Sequence, residues 1–354
     1  MITAGASLPF YNEMAYAQAS KIENVPPDAV MINANENPLG PCKEGLEALY
    51  SMAKNGGRYR YDQSDMVQKL MAEQEGLKLD HVRIVPGSSA PLHQTILAFT
   101  SPTRPLIMGD PGYESGAAAA KFIGAKVIRV PLTKDYAHDV KAMVAADANP
   151  GVIYITNPNN PTGTLTPKAD IEWLVANKPK GSIVLIDEAY THISGAPFNS
   201  DLVVAGNDVI ILRTFSKIYG MAGLRAGAVI ARPDLIEKQA NFSALGMLPI
   251  TAMACAAASL QVKNLVSDRR KLIGDVRENT LEYLSKNNFH YIPSVSNCFM
   301  VDVKKPAMDA VLALRAEKVY VGRVWPALPT HIRVTVGLQE EMNKFKTAFS
   351  KIMA

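Results

Sequence analysis

Lys217 stands in the run Arg213-Thr214-Phe215-Ser216-Lys217-Ile218-Tyr219-Gly220, with Arg225 a short way beyond it. Upstream, Asn157-Pro158-Asn159-Asn160-Pro161-Thr162-Gly163 forms a turn rich in amides. The apolar run Ile183-Val184-Leu185-Ile186 ends in Asp187-Glu188-Ala189-Tyr190. A lysine by itself is a solvated surface charge. Framed by two hydroxyls, an arginine, a strand-end carboxylate and an amide turn, its amine has what it needs to form a Schiff base with a carbonyl cofactor. Pyridoxal 5′-phosphate is the cofactor whose parts these residues match.

Each part of that cofactor asks for a different group. A phosphate needs backbone N–H groups at a helix N-terminus, hydroxyls and a fixed cation. Gly87-Ser88-Ser89-Ala90-Pro91 follows the apolar run Val82-Arg83-Ile84-Val85 and opens a helix. An ordinary serine cap would read the same way, but Thr214, Ser216 and Arg225 add two hydroxyls and a guanidinium to Ser88 and Ser89. The ring nitrogen needs a carboxylate that keeps it protonated, and Asp187 ends an apolar strand where open α/β sheets collect ligands. The ring hydroxyl needs a donor, which Asn160 or the phenol of Tyr190 would supply, although an Asn-Pro-Gly turn is common for structural reasons alone. Tyr113, in Asp110-Pro111-Gly112-Tyr113, would stack on the ring face. A substrate anion would be met by Arg333, in the apolar run His331-Ile332-Arg333-Val334-Thr335-Val336-Gly337, with Arg323 a weaker candidate and a structural salt bridge the alternative.

These residues need a sheet to hold them. Short apolar runs at 82–85, 105–108, 126–130, 151–155, 182–186, 209–213 and 227–231 alternate with helical periodicity near 92–98, 115–124, 140–146 and 168–176. Unbroken apolar strands alternating with helices predict an α/β fold, with a mostly parallel sheet covered on both faces. The last two runs lie close together on either side of Lys217, which allows an antiparallel edge strand after it. Beyond about residue 247 a long helical stretch at 250–285 leads to a smaller α+β region with strands near 297–303, 319–322 and 331–336. The expected division is a large domain at 39–246, with 1–38 and 247–354 forming a small one. Trp325, Tyr11, Tyr16 and Tyr320 would give this second domain a pocket for a long or flat side chain.

The chain has 354 residues, 48% hydrophobic and 20% charged, with a net charge of +4. That fits a globular enzyme of about two domains. Without a Lys/Arg run or an arginine–aromatic stripe, the small positive charge does not argue for nucleic acid or membrane. Cys42, Cys255 and Cys298 are widely spaced and read as reduced thiols, and the scattered histidines form no metal motif, so no metal is expected. No apolar stretch approaches the ~20 residues needed to span a bilayer. The expected location is the cytoplasm. Gly220, Gly223 and Gly227 are not spaced as a dinucleotide-binding turn.

Taken together, these residues resemble fold type I pyridoxal-phosphate enzymes, and among them the class I/II aminotransferases of the histidinol-phosphate aminotransferase subfamily. The resemblance covers nearly the whole chain. It includes Asn33-Ala34-Asn35-Glu36-Asn37-Pro38-Leu39-Gly40 and Arg58-Tyr59-Arg60-Tyr61-Asp62, as well as the motifs above. It implies Lys217 as the Schiff-base lysine, Asp187 as the ring-nitrogen partner, and Asn160 and Tyr190 at the ring hydroxyl. Ser88, Ser89, Thr214, Ser216 and Arg225 would hold the phosphate, and Asn35 and Arg333 would face the substrate. Tyr61 would reach across a two-fold axis to a neighbouring subunit, implying a homodimer. The implied reaction moves an amino group from an amino acid or histidinol phosphate to a 2-oxo acid such as 2-oxoglutarate. Alternatives are a donor that is aromatic or basic, like arginine, or a lyase or cyclase of the same fold. The chain departs from the subfamily pattern in three places. It lacks a proline beside Tyr61, has no acidic residue in Ser88-Ser89-Ala90, and shifts the arginine in Val321-Gly322-Arg323-Val324-Trp325.

Overall fold

The computed structural model describes residues 25–243 and 248–354. Its strands in chain order are β1 (Val30–Ile32), β2 (Val82–Val85), β3 (Leu106–Asp110), β4 (Val127–Pro131), β5 (Val152–Thr156) and β6 (Ile183–Asp187). They continue with β7 (Val209–Thr214), β8 (Gly227–Ala231), β9 (Tyr291–Ile292), β10 (Cys298–Asp302), β11 (Val319–Val321) and β12 (His331–Thr335). Seven form one sheet in the order β2-β8-β7-β6-β5-β3-β4. Every residue of β5, β6, β7 and β8 is buried, because helices cover both faces. One face packs against helices Ser89–Phe99, Ser115–Phe122 and Pro233–Ala240, and the other against a core that includes Tyr61–Glu75 and Lys168–Asn177.

The antiparallel strand expected after Lys217 is β8, but it is not at the edge. It lies between β7 and β2 and runs antiparallel to both, with Gly227 opposite Thr214 and also opposite Val85. The chain leaving β7 therefore loops out at residues 215–226 and returns at the same end of the sheet. The expected helix at 250–285 is two helices, Ile250–Gln261 and Leu265–Lys286, separated by Val262-Lys263-Asn264. Ile250–Gln261 packs on Lys43–Ala53 and Tyr61–Glu75. The remaining strands form an antiparallel β12-β10-β9 sheet and a parallel β1–β11 pair. Tyr11 and Tyr16 lie outside the described residues. Among the described residues no helix is long and apolar enough to cross a membrane.

A buried ionic network fixes the ends of β6 and β7. Arg213 donates from Nε to Glu188 Oε2 at 2.5 Å and from Nη1 to Glu75 Oε1 at 2.6 Å. Its guanidinium also lies 3.7 Å from the centroid of the Phe198 ring. Glu188 Oε1 accepts from the backbone N–H and side chain of Asn199. All of these charges are withdrawn from water, so each depends on the others. Glu188→Ala is expected to cost about 3 kcal/mol by leaving the buried Arg213 Nε–H and the Asn199 donors without their acceptor. An unchanged urea-denaturation midpoint would show that the network is not needed.

Candidate active site

The C-terminal ends of β5, β6 and β7 open into a cavity of about 560 Å³. The residues assigned by sequence to the cofactor and to the substrate anion all line it except Tyr61. Tyr61 begins the helix Tyr61–Glu75 and is exposed on the surface of this chain.

Asp187 ends β6 and is buried. Its Oδ1 accepts from the Ala189 N–H at 3.1 Å, and its Oδ2 from the Tyr154 hydroxyl at 3.3 Å. The register explains the second contact. Thr156 lies opposite Asp187 in the parallel β5–β6 pair, and Tyr154, two residues earlier, shares its face. The Thr156 hydroxyl donates to the Tyr154 oxygen at 3.0 Å and so steers the phenol towards the carboxylate. Among the described residues no cation is ion-paired with Asp187. Burial pushes its carboxyl up to about 6, against the two hydrogen bonds and the more distant Lys217 charge. This carboxylate has been taken out of water without a full counter-charge, a costly state unless a cation arrives.

Lys217 is partly buried on the loop after β7. Its Nζ donates to the Asn35 carbonyl at 2.7 Å. Burial pushes the amine down to about 8, and the Arg333 charge acts in the same direction. Asn35, a non-glycine residue in the left-handed region at φ +52°, also donates from Nδ2 to the Tyr190 hydroxyl at 3.1 Å. That leaves the Tyr190 phenol its own proton to donate. Asn160 Oδ1 accepts from Arg333 Nη1 at 3.0 Å. Since a guanidinium only donates, the other end of the Asn160 amide is the NH₂ group.

Hydroxyls and a guanidinium gather where β2, β7 and β8 end. The Thr214 hydroxyl donates to Ser216 Oγ at 2.8 Å, and Arg225 Nη1 lies 3.5 Å from the same oxygen while donating to the Ala222 carbonyl at 2.9 Å. Gly87 has φ +82°, and a Cβ there would collide with the Arg225 guanidinium, so only glycine lets the two approach. Ser88 precedes the helix Ser89–Phe99, but its side chain makes no capping hydrogen bond, so the ordinary-cap reading is not realised.

Sequence reasoning did not single out Tyr154, Thr156 or Glu114. Tyr154 lies inside an apolar strand, where only its register against β6 shows that it touches Asp187. Glu114 directly follows Tyr113, and a charge in that turn was the available signal. Tyr320 does not line the cavity, and Trp325 is buried behind it.

The residue set fits pyridoxal phosphate. It offers an uncompensated carboxylate for a protonated ring nitrogen and a neutralisable lysine for the aldehyde. It also offers amide and phenol donors for the ring hydroxyl, and hydroxyls, a helix N-terminus and a guanidinium for the phosphate. Fold and site thus define an α/β enzyme built around that cofactor. The family model described as "Aminotransferase class I and II" matches residues 27–348. A histidinol-phosphate aminotransferase 1 of Nitrosococcus oceani is 32% identical, over 90% of this chain and 87% of its own length. A crystal structure from Erwinia carotovora atroseptica, of a protein proposed to be a histidinol-phosphate aminotransferase, has a TM-score of 0.88 at 29% identity and covers 92% of this chain and 96% of its own. A histidinol-phosphate aminotransferase of Sinorhizobium meliloti, solved with pyridoxal 5′-phosphate, shares the fold with a TM-score of 0.84 at 22% identity, over 99% of this chain and 95% of its own. The chain belongs to the class I and II aminotransferases and is a pyridoxal-phosphate-dependent enzyme acting on amino and 2-oxo acids.

The lowered lysine sets a pH dependence. Only the neutral amine attacks an aldehyde, so apoenzyme should capture added pyridoxal phosphate faster as pH rises through about 8 and level off above it. Stopped-flow absorbance at 7–10 would check this, and a rate still climbing steeply at pH 10 would contradict the lowered value.

Proposed function

We propose that Lys217 carries the cofactor and moves the proton, and that Asp187 holds the proton on the ring nitrogen. The supporting observation is the buried Asp187 carboxylate, without an ion-paired cation, in the same cavity as the lysine. Asn160 and Tyr190 donate to the ring hydroxyl, and Tyr113 covers the ring face. Ser88, Ser89, Thr214, Ser216 and Arg225 hold the phosphate. Arg333 holds the anionic group of donor and acceptor in turn, with Asn35 and Arg323 beside it. Bound pyridoxal phosphate supplies an electron sink for the negative charge that develops at the substrate Cα. With the cofactor bound, Lys217 would take the proton from the substrate Cα and hold it for return, while Asp187 would keep the ring nitrogen protonated. Arg333, Asn160 and Asn35 line the same cavity as Lys217 and would orient the donor beside its amine.

Within the same reading, the donor is an α-amino acid or histidinol phosphate, and 2-oxoglutarate is the acceptor. The names of the relatives support histidinol phosphate as a substrate to be tested. The chain acts in the cytoplasm as a homodimer, with Tyr61, exposed here, completing the neighbouring subunit's phosphate site. The proposed division is 39–246 for the cofactor domain and 1–38 with 247–354 for the smaller one, with the helix Ile250–Gln261 packing back on the cofactor domain.

Lys217→Ala should lower turnover by about 10³-fold or more. Arg333→Ala should lower kcat/KM by about 10–100-fold, as expected for losing a charge-assisted pair. With donor alone, the parent enzyme should lose its visible absorbance as pyridoxamine phosphate accumulates. A return to the starting spectrum would identify a lyase instead. Mixing inactive Lys217→Ala subunits with impaired Tyr61→Ala subunits should restore activity, since one site of each hybrid is intact. Failure of hybrids to recover would argue against a shared site.

A further inference from the structure

Two arginines reach the substrate end of the cavity, and they are in opposite electrostatic states. Both rest on the Trp325 ring, with guanidinium carbons 5.1 Å (Arg333) and 4.4 Å (Arg323) from its centroid. Trp325 is buried and donates from Nε1 to the Gly112 carbonyl at 3.2 Å, which ties it to the turn carrying Tyr113 and Glu114. Arg333 is buried and bonded to neutral oxygens only, Asn160 Oδ1 and the Asn33 carbonyl. Its Nε has no hydrogen-bond partner, and among the described residues no carboxylate is paired with it. Gly322 permits this placement, because a Cβ there would lie 2.8 Å from Arg333 Nε. Arg323 is already paired, donating from Nη1 to Glu114 Oε2 at 2.7 Å. The other Glu114 oxygen lies 3.9 Å from Arg129. Both members of the Glu114–Arg323 pair line the cavity and are largely shielded from water.

We infer that Glu114 is a specificity-determining residue that tunes the substrate anion subsite to a carboxylate and against a phosphate monoester. This rests on the proposed role of Arg333 as the substrate clamp. A carboxylate carries one negative charge and matches the single uncompensated guanidinium of Arg333 in bidentate fashion. A phosphate monoester carries close to two charges at neutral pH and calls for a second cation. Arg323 shares the Trp325 ring with Arg333. Recruiting it would take the 2.7 Å partner from Glu114, leaving that carboxylate only Arg129 at 3.9 Å as it faces the dianion in a largely desolvated pocket. The closed pair therefore acts as a charge filter between the two classes of donor.

Histidine and histidinol phosphate share an imidazole side chain and differ at the anionic group, so they isolate the effect. Half-reaction rates of the pyridoxal-phosphate-loaded enzyme should favour histidine over histidinol phosphate. Glu114→Gln, which frees Arg323 and keeps the side chain's shape, should shift the ratio of rate to half-saturating concentration by about tenfold or more towards histidinol phosphate. Arg323→Gln removes the same pair without freeing a cation and should not shift the ratio that way. Three results would overturn the inference: a parent enzyme that prefers histidinol phosphate, a ratio within about twofold of the parent in Glu114→Gln, or the same shift in Arg323→Gln. Conversion of the bound cofactor by neither these donors nor any other amino acid would instead overturn the clamp reading, which separates the two failures.

Discussion

The site depends on removing charges from water before a ligand is present to balance them. Asp187 is a buried carboxylate held by a backbone N–H and a phenol, and Arg333 is a buried guanidinium held by neutral oxygens. Each costs free energy to desolvate, and neither is fully compensated by a neighbour. The same burial raises the Asp187 carboxyl and lowers the Lys217 amine, moving both towards neutrality. A cavity with these imbalances favours groups that would correct them: a cation at Asp187, an electrophile at Lys217 and an anion at Arg333.

The surrounding structure is what makes that imbalance tolerable. The ends of β6 and β7 are locked by the Glu75–Arg213–Glu188 network on the opposite side of the strand ends from the cavity. There two carboxylates share one guanidinium, and Asn199 and Ser200 donate to their oxygens, so the groups are hydrogen-bonded and contribute to rigidity. Asp187 and Glu188 are consecutive residues with opposite fates, since alternation along an extended strand end sends one carboxylate to each side. One is fully paired and structural, and the other is left to face the cavity.

Much of this was legible in the sequence because it is local. The apolar runs that became β5, β6 and β7 were set by their own residues and by the helical periodicity between them, so the sheet and the position of Asp187 at a strand end followed. The Gly87-Ser88-Ser89 turn and the segment around Lys217 likewise carry their chemistry in consecutive residues. The break between Ile250–Gln261 and Leu265–Lys286 was not legible, because no proline or glycine marks Val262-Lys263-Asn264. The interior place of β8 could not be read either, since strand order depends on pairing between distant segments.

The sequence by itself determined the fold class and the group of side chains that could hold a pyridoxal cofactor, because short-range pattern and residue type suffice for both. The tertiary structure alone decided how those groups are charged and paired. The antiparallel return of β8 brings Arg225 back beside Thr214, Ser216 and Gly87, and the β5–β6 register points Tyr154 at Asp187. Trp325 packs under two arginines, of which Arg333 has no carboxylate partner among the described residues and Arg323 is set against Glu114. Electrostatic balance is a sum over neighbours in space, and residues such as Glu114 and Arg323, far apart in the chain, become neighbours only when it folds.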